Sequence, residues 1–309
     1  MKNKLAPWLA FFRLPNLPTA PGDAIAGAAI CLTLSQPFGA GSTVPMQLIA
    51  AGAAALLIYM FGLADNDIVG AEEDQKHAPH RPIPSGGITV GQAETARVTC
   101  LILAVAGSAL CNMPIAWWCV TSVLVSGIML YNRYKSKWPV FGLVSMGLCR
   151  GLSLFAGAAA MWSVAPGMLF SAAVLVAVAG WTAYICAVTW LAAQEHVAGA
   201  PMSWLRFLPG LAVFIPMTAL KFYPQWSWTL ISVCSLCAYG IWFLSVLPLG
   251  KQHDPDLRRK AVGGAIGAII YMQAGFILSF PHVVMVAIVL AIFTSNVFIR
   301  KFFGNVQGS

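Results

Sequence analysis

Ten apolar stretches, most of about 18 residues or more, recur along this chain of 309 residues and constrain its fold more than any other feature. They run roughly over 18–38, 45–63, 93–111, 115–132, 139–160, 167–191, 204–222, 227–249, 261–280 and 282–302. Stretches of that length fit helices that cross a hydrocarbon layer about 30 Å thick. The last two share one long run broken at Pro281-His282, so the pattern supports nine or ten spans. Composition agrees: 59% of the residues are hydrophobic and only 9% charged, too few to keep a soluble chain dispersed. The expected fold is an all-α polytopic membrane bundle of nine or ten helices. It is a single domain over residues 1–309, because the longest polar stretch is only about thirty residues. The opening MKNKLAPWLAFFRLPN is not expected to be a cleaved signal, since Pro7 and Arg13 interrupt it and no small-residue cleavage site follows.

The basic residues give an orientation. Lys2, Lys4 and Arg13 precede the first stretch, and Lys76, Arg81 and Arg97 lie in or beside the second connection. Arg133, Lys135 and Lys137 fill the fourth, Arg206 follows the sixth, and Lys251, Arg258, Arg259 and Lys260 follow the eighth. Lys221 is the exception on the opposite side. The positive-inside rule then predicts a cytoplasmic N-terminus and cytoplasmic even-to-odd loops, with a bacterial inner membrane as the setting. The net charge of +8 reads as topology plus contact with anionic lipid. No basic, aromatic-laced soluble face exists to bind nucleic acid.

An apolar chain has gathered its charge in one place. Residues 65–86, DNDIVGAEEDQKHAPHRPIPSG, hold five of the ten acids and then Lys76, His77, His80 and Arg81. If helical, the segment puts Asn66 and Asp74 near one face, and Asp67 and Asp74 closer still to alignment. Hard oxygen ligands of this kind suit Mg²⁺, which takes one or two carboxylates plus phosphate oxygens of a substrate. The cations alongside suit the phosphates themselves. Spacing alone fits a solvated charged loop equally well.

Other polar residues fall within or at the ends of apolar stretches. Tyr131 and Lys135 are four apart at the end of the fourth, and Arg150 is buried in the fifth. An arginine in hydrocarbon usually faces an interior cavity and has a partner. Gln194, Glu195 and His196 end the sixth stretch, on the same side as the first charged segment. Asp23 either lines the cavity or partners a helix end, and Gln273 reads as an interhelical hydrogen bond. Arg97 and Glu94 read as a local pair. Cys234 and Cys237 read as packing residues, and Gly263 and Gly267 as a close helix contact.

Taken in order, these boxes resemble the UbiA superfamily of intramembrane prenyltransferases. Asn66-Asp67, Gly70 and Asp74 correspond to that family's NDxxDxxxD motif, and RPIPSG at 81–86 to the box that follows it. Tyr131 and Lys135 match its YxxxK. The segments at 13–27, 146–157 and 254–262 are similar to an EboC-like branch.

The resemblance implies helices around a central cavity and Mg²⁺ as cofactor. The metal would be held by Asn66, Asp67, Asp74 and Glu195. Of these, Asp67, Asp74 and Glu195 would be catalytic, and Lys76, Arg81, Tyr131, Lys135 and Arg150 would bind diphosphate. The partners implied are a prenyl diphosphate and a lipophilic or aromatic acceptor. Two alternatives use the same residues: a terpene cyclase acting on a prenyl diphosphate, and a non-catalytic membrane carrier or binding descendant. The chain departs from the pattern at Gly70, where the motif has its middle aspartate, and at Glu195, which stands alone where an acid pair is usual. Ser153 stands where the branch tends to have Asn.

Overall fold

The computed structural model describes residues 5–35, 45–193, 204–222, 228–250 and 255–303. Among these residues the fold is entirely helical. A short α1 (Ala6–Phe11) and a 3₁₀ turn (Leu14–Asn16) lead into α2 (Thr19–Leu34), α3 (Met46–Val69) and α4 (Ala71–His77). Then come α5 (Val90–Leu110), α6 (Ile115–Tyr134), α7 (Pro139–Ala160) and α8 (Ala172–Ala193). A 3₁₀ segment (Trp204–Phe222) precedes α9 (Trp228–Val246), α10 (Pro255–Ile277) and α11 (Val283–Phe303).

Eight helical stretches among the described residues are long and apolar enough to cross a membrane. Two further expected spans fall on Trp204–Phe222 and on α11. The first of these is 3₁₀ rather than α; Pro209 and Pro216 remove the N–H groups that an α-helical ladder would need there. The second expected span, 45–63, runs on to Val69, so the first acids of the charged segment sit on the last turns of a long helix.

Helix α2 is the spine of the bundle. Nearly every residue of it is buried, and it packs against α3, α7 and α10. Its approach to α7 is closer than side chains allow. A Cβ at Gly27 would overlap the Leu154 carbonyl, and one at Gly157 would overlap the Ala24 carbonyl. Small residues let helix backbones meet in this way where no hydrophobic force drives them together. Helices α5 and α6 lie outside. They expose Ile102, Leu103, Leu110 and Ile115, as a lipid-facing surface would. A capping box starts α5: the Gln92 backbone N–H donates to Thr89 Oγ1, and the Thr89 N–H donates to Gln92 Oε1. At the start of α10, Gly263 faces open space. Its neighbour Gly264 packs closely, against Ser245 of α9, so the close contact expected at Gly263 falls one residue later.

Candidate functional site

The last two turns of α3 deliver three consecutive polar side chains, Asp65, Asn66 and Asp67, into the interior. All three are buried. A helix turns about 100° per residue, so the three neighbours point in different directions, and each has its own set of partners.

Asp65 turns outward to α5 and α6. Its Oδ1 accepts from Arg97 Nη1 at 3.0 Å and its Oδ2 from Asn132 Nδ2 at 2.9 Å. This overturns the expected Arg97–Glu94 pair. A fully buried carboxylate needs a cation, whereas Glu94 is exposed and finds water. Asp65 therefore holds three helices together.

Asn66 and Asp67 face inward. The Asn66 side chain donates to Asp67 Oδ1 at 2.9 Å, and its carbonyl accepts from the ammonium of Lys135. Asp67 Oδ1 also accepts from Arg13 Nη2 at 3.2 Å. Arg13 follows α1 in a left-handed conformation, φ 46°, as residues that end helices commonly do, and this sends its side chain to the end of α3. Beyond Gly70 the backbone ladder continues into α4. Both carboxylate oxygens of Asp74 accept from Arg81 Nη1 at 2.7 Å. Glu73 accepts from Ser136 Oγ at 3.1 Å, tying α4 to the end of α6.

Lys135 caps α6, one turn after Tyr131, and its ammonium lies 5.1 Å from the centre of that ring. Burial, and then the nearby Arg13 charge, lower its pKa from 10.5 to about 8 despite Asp67 and Asp74. It is the cation here that a bound anion would most relieve.

These groups open onto a cavity of about 670 Å³, some of it shared with open solvent. Arg13, Asn66, Tyr131, Asn132, Tyr59 and Arg150 supply its polar lining; residues such as Ile58, Leu124, Ile128 and Met146 make the rest apolar. Arg150 has the partner its depth requires. Its Nη2 donates to Asp23 Oδ1 at 3.1 Å, and its Nε lies 2.8 Å from Oδ2 in an ion pair without hydrogen-bond alignment. Asp23 thus partners Arg150 and does not itself line the cavity. Gln273 donates to the same carboxylate at 2.8 Å, an interhelical bond as expected.

The structure brings together Asn66, Asp67, Tyr131 and Lys135 at the mouth, with the Asp74–Arg81 pair on the adjoining α4 side. Lys76 is exposed on α4, away from the cavity lining. Glu195, with Gln194 and His196, lies outside the described residues. Arg13 was legible in the sequence only as a topology charge; its pairing with Asp67, 54 positions away, left no local signal.

As for a metal, no group of three His, Cys, Asp or Glu side chains among the described residues could hold one. The donor set nevertheless fits Mg²⁺, which needs only one or two carboxylates when phosphate oxygens complete its shell. Asp67 and Asp74, each now matched by an arginine, are the carboxylates available for it.

The model of the UbiA prenyltransferase family matches residues 24–261, so this chain belongs to that family. Among its relatives is the digeranylgeranylglyceryl phosphate synthase of Saccharolobus solfataricus, 31% identical over 122 residues. That match covers 40% of this chain and spans 39% of the relative's length. The apo structure of a UbiA homologue from Aeropyrum pernix K1 superposes with a TM-score of 0.66 at 18% identity, over 86% of this chain and 98% of that one. A UbiA homologue from Archaeoglobus fulgidus, solved bound to DMAPP and Mg²⁺, gives a TM-score of 0.50 at 12% identity, over 93% of this chain and 99% of that one. At such identities the two structures speak for the fold.

Proposed function

We propose that this protein transfers a prenyl group from an isoprenoid diphosphate to a lipophilic acceptor within the membrane, with Mg²⁺ as cofactor and with the mouth of the cavity on the cytoplasmic side. One observation carries the reading: hard oxygen ligands and cations meet at the mouth of a cavity whose remaining lining is largely apolar. The DMAPP and Mg²⁺ bound to the Archaeoglobus homologue and the name of the Saccharolobus relative support the same chemistry.

In this reading Asp67, Asp74 and the Asn66 carbonyl would hold the metal, with Glu195 as the third acid. Mg²⁺ bound there supplies positive charge to the departing diphosphate. Lys135, Tyr131, Arg81 and Arg13 bind the phosphate oxygens. For the arginines this means leaving the carboxylates they now pair with. The allylic C1–O bond breaks and its electron pair leaves with the diphosphate. An electron pair of the acceptor forms the new bond to C1, and the acceptor's proton passes to solvent or to the released diphosphate. The apolar wall keeps water from C1 while the bond is open.

The test is diphosphate release by purified protein with C10 to C20 allylic diphosphates, with and without Mg²⁺, and mass spectrometry of the organic product. Mg²⁺-dependent release that disappears in Asp74→Ala, with a product heavier than the donor chain by the mass of the acceptor, is the expected result. A product with only the carbons of the donor would mean cyclisation. Failure to bind an unreactive thiodiphosphate analogue would overturn the reading.

A further inference from the structure

The buried cluster of Asp23, Arg150 and Gln273 has no part in holding diphosphate as just described, and its depth explains why. Tyr59 precedes Asn66 by two helical turns on α3, or ~10 Å along the axis. The Arg150 guanidinium lies level with Tyr59, 5.9 Å from its ring centre. Helix α7 gives the same depth. Its Gly142 abuts Lys135, and Arg150 follows eight residues later, ~12 Å further in. A diphosphate seated between Asn66 and Lys135 therefore lies about two helical turns from the Cα of Arg150, and the arginine side chain, which leans toward the N-terminus of α7, closes part of that distance.

The cluster is also balanced in charge, although Asp23 Oδ2, Arg150 Nε, Gln273 Oε1 and Trp181 Nε1 are buried without a hydrogen-bond partner among the described residues. Asp23 and Gln273 are wholly buried, and Arg150 retains 13% of its side-chain exposure. Gln273 Nε2 donates to the Thr19 carbonyl at 2.6 Å as well as to Asp23, so α10 clamps the first turn of α2. Gly22 makes room for this amide, since a Cβ there would overlap it. Asp23, Gln273, Thr19 and Trp181 are not among the residues that line the cavity. The Arg150 guanidinium meets the cavity on an α7 face shared with Met146, Cys149 and Ser153.

We propose that Arg150 binds the acceptor and not the donor, and that Asp23 and Gln273 are positioning residues that fix its guanidinium at that depth. A guanidinium has only donors to offer, so the acceptor group it takes is an oxygen: hydroxyl, carbonyl or phosphate. Because Asp23 already neutralises it, the site does not require a full negative charge on that oxygen. The acceptor is thus an amphipathic molecule whose oxygen-bearing group is drawn into the bundle beneath the diphosphate, within reach of C1. This deepens the proposed function, rests on it, and departs from the diphosphate role that the family resemblance implies for Arg150.

The test separates donor from acceptor. Donor affinity is read as binding of geranylgeranyl thiodiphosphate with Mg²⁺. Acceptor use is read as KM for transfer to geranylgeranylglyceryl phosphate, a long-chain alcohol and a phenol. In Arg150→Met, acceptor KM is expected to rise by about tenfold or more, as when a site loses the donor to a substrate oxygen, while donor affinity stays within about twofold. Arg150→Lys should recover part of the loss. Gln273→Met, which keeps the ion pair and the volume, should raise acceptor KM by a smaller factor with kcat little changed, a split that a merely structural role would not produce. Weakened donor binding in Arg150→Met to the level of Lys135→Ala would overturn the proposal, as would a fall in active protein with unchanged KM. Wild-type protein that binds the donor analogue but transfers to none of the three oxygen acceptors would also overturn it while leaving the donor reading intact. Absence of donor binding in the wild type would instead overturn the proposed function itself.

Discussion

The mouth of the cavity and the cluster beneath it are built from the same residue types and differ in how their charges are matched. At the mouth, Asp67 and Asp74 pair with Arg13 and Arg81, whose side chains keep 35% and 38% of their exposure. Below, Asp23 is sealed and its partner Arg150 nearly so. Half-exposed arginines can turn to a new anion at small cost, because water takes up the difference. A sealed pair cannot, since separating it leaves a bare charge in a medium that does not solvate it. The comparison teaches that one charge motif suits two tasks according to burial: on the proposed reading, exchange at the mouth and fixation in the core.

Breaking the sealed pair is the harshest test of that contrast. Asp23→Ala leaves Arg150 uncompensated and should cost ~3–5 kcal/mol of stability, measured as a fall in the thermal unfolding midpoint in detergent. Asp74→Ala should cost less than ~1 kcal/mol by the same measurement, because its partner regains water. Its effect belongs to activity: loss of a preorganised group at the reacting charge should lower kcat by a factor of about 10²–10³. Equal stability losses in the two variants would erase the distinction.

Gly70→Asp sharpens the comparison from the other side. The position has φ −86°, open to any residue; a Cβ there would lie 3.8 Å from an Asp74 oxygen and 3.1 Å from the Asn66 carbonyl, which must give by a few tenths of an ångström. A third carboxylate at the exchangeable end should reduce the Mg²⁺ concentration needed for half-maximal diphosphate release by about tenfold, ~1.4 kcal/mol. An unchanged Mg²⁺ requirement would place the metal away from this turn.

The smallest effect is on pH. Bound diphosphate favours the ammonium of Lys135, so binding takes up a proton once pH passes its pKa of about 8. Donor affinity should fall about twofold between pH 7 and 8 and more steeply above. Lys135→Arg, charged throughout, should flatten that profile. The unliganded protein should move in the opposite direction. The unfolded chain holds this proton up to about pH 10.5, so over that interval a rise in pH favours the fold.

Much of the mouth was legible in the sequence because its residues lie at helical spacings on helix ends. Tyr131 and Lys135 are one turn apart, and Asn66 and Asp74 are joined by a backbone ladder that runs through Gly70. The partners were not legible. Nothing local distinguishes Asp65, which ties α3 to α5 and α6, from Asp67 two positions on; only the tertiary arrangement decides which acid meets Arg97 and which meets Arg13. The depth of Arg150 could be counted along its helix, but its bond to Asp23, 127 positions earlier, required the crossing of α2 and α7. The bundle was read from apolar run lengths. The 3₁₀ form of Trp204–Phe222 was not, because a proline lacks its N–H donor in either kind of helix.

The arginines at the mouth also bear on ionic strength. A site that presents bare cations to an anion releases its counterions on binding, and its affinity falls steeply as salt is added. Here each acid already carries its own counterion as a side chain. On the proposed reading, loading would exchange one set of ion pairs for another, the carboxylates being freed to hold Mg²⁺ as the arginines take the phosphates, so few mobile ions would enter or leave. The salt sensitivity of donor binding should therefore be shallow for so basic a chain, and it should steepen when Asp67 or Asp74 is removed and an arginine is left to draw its counterion from solution.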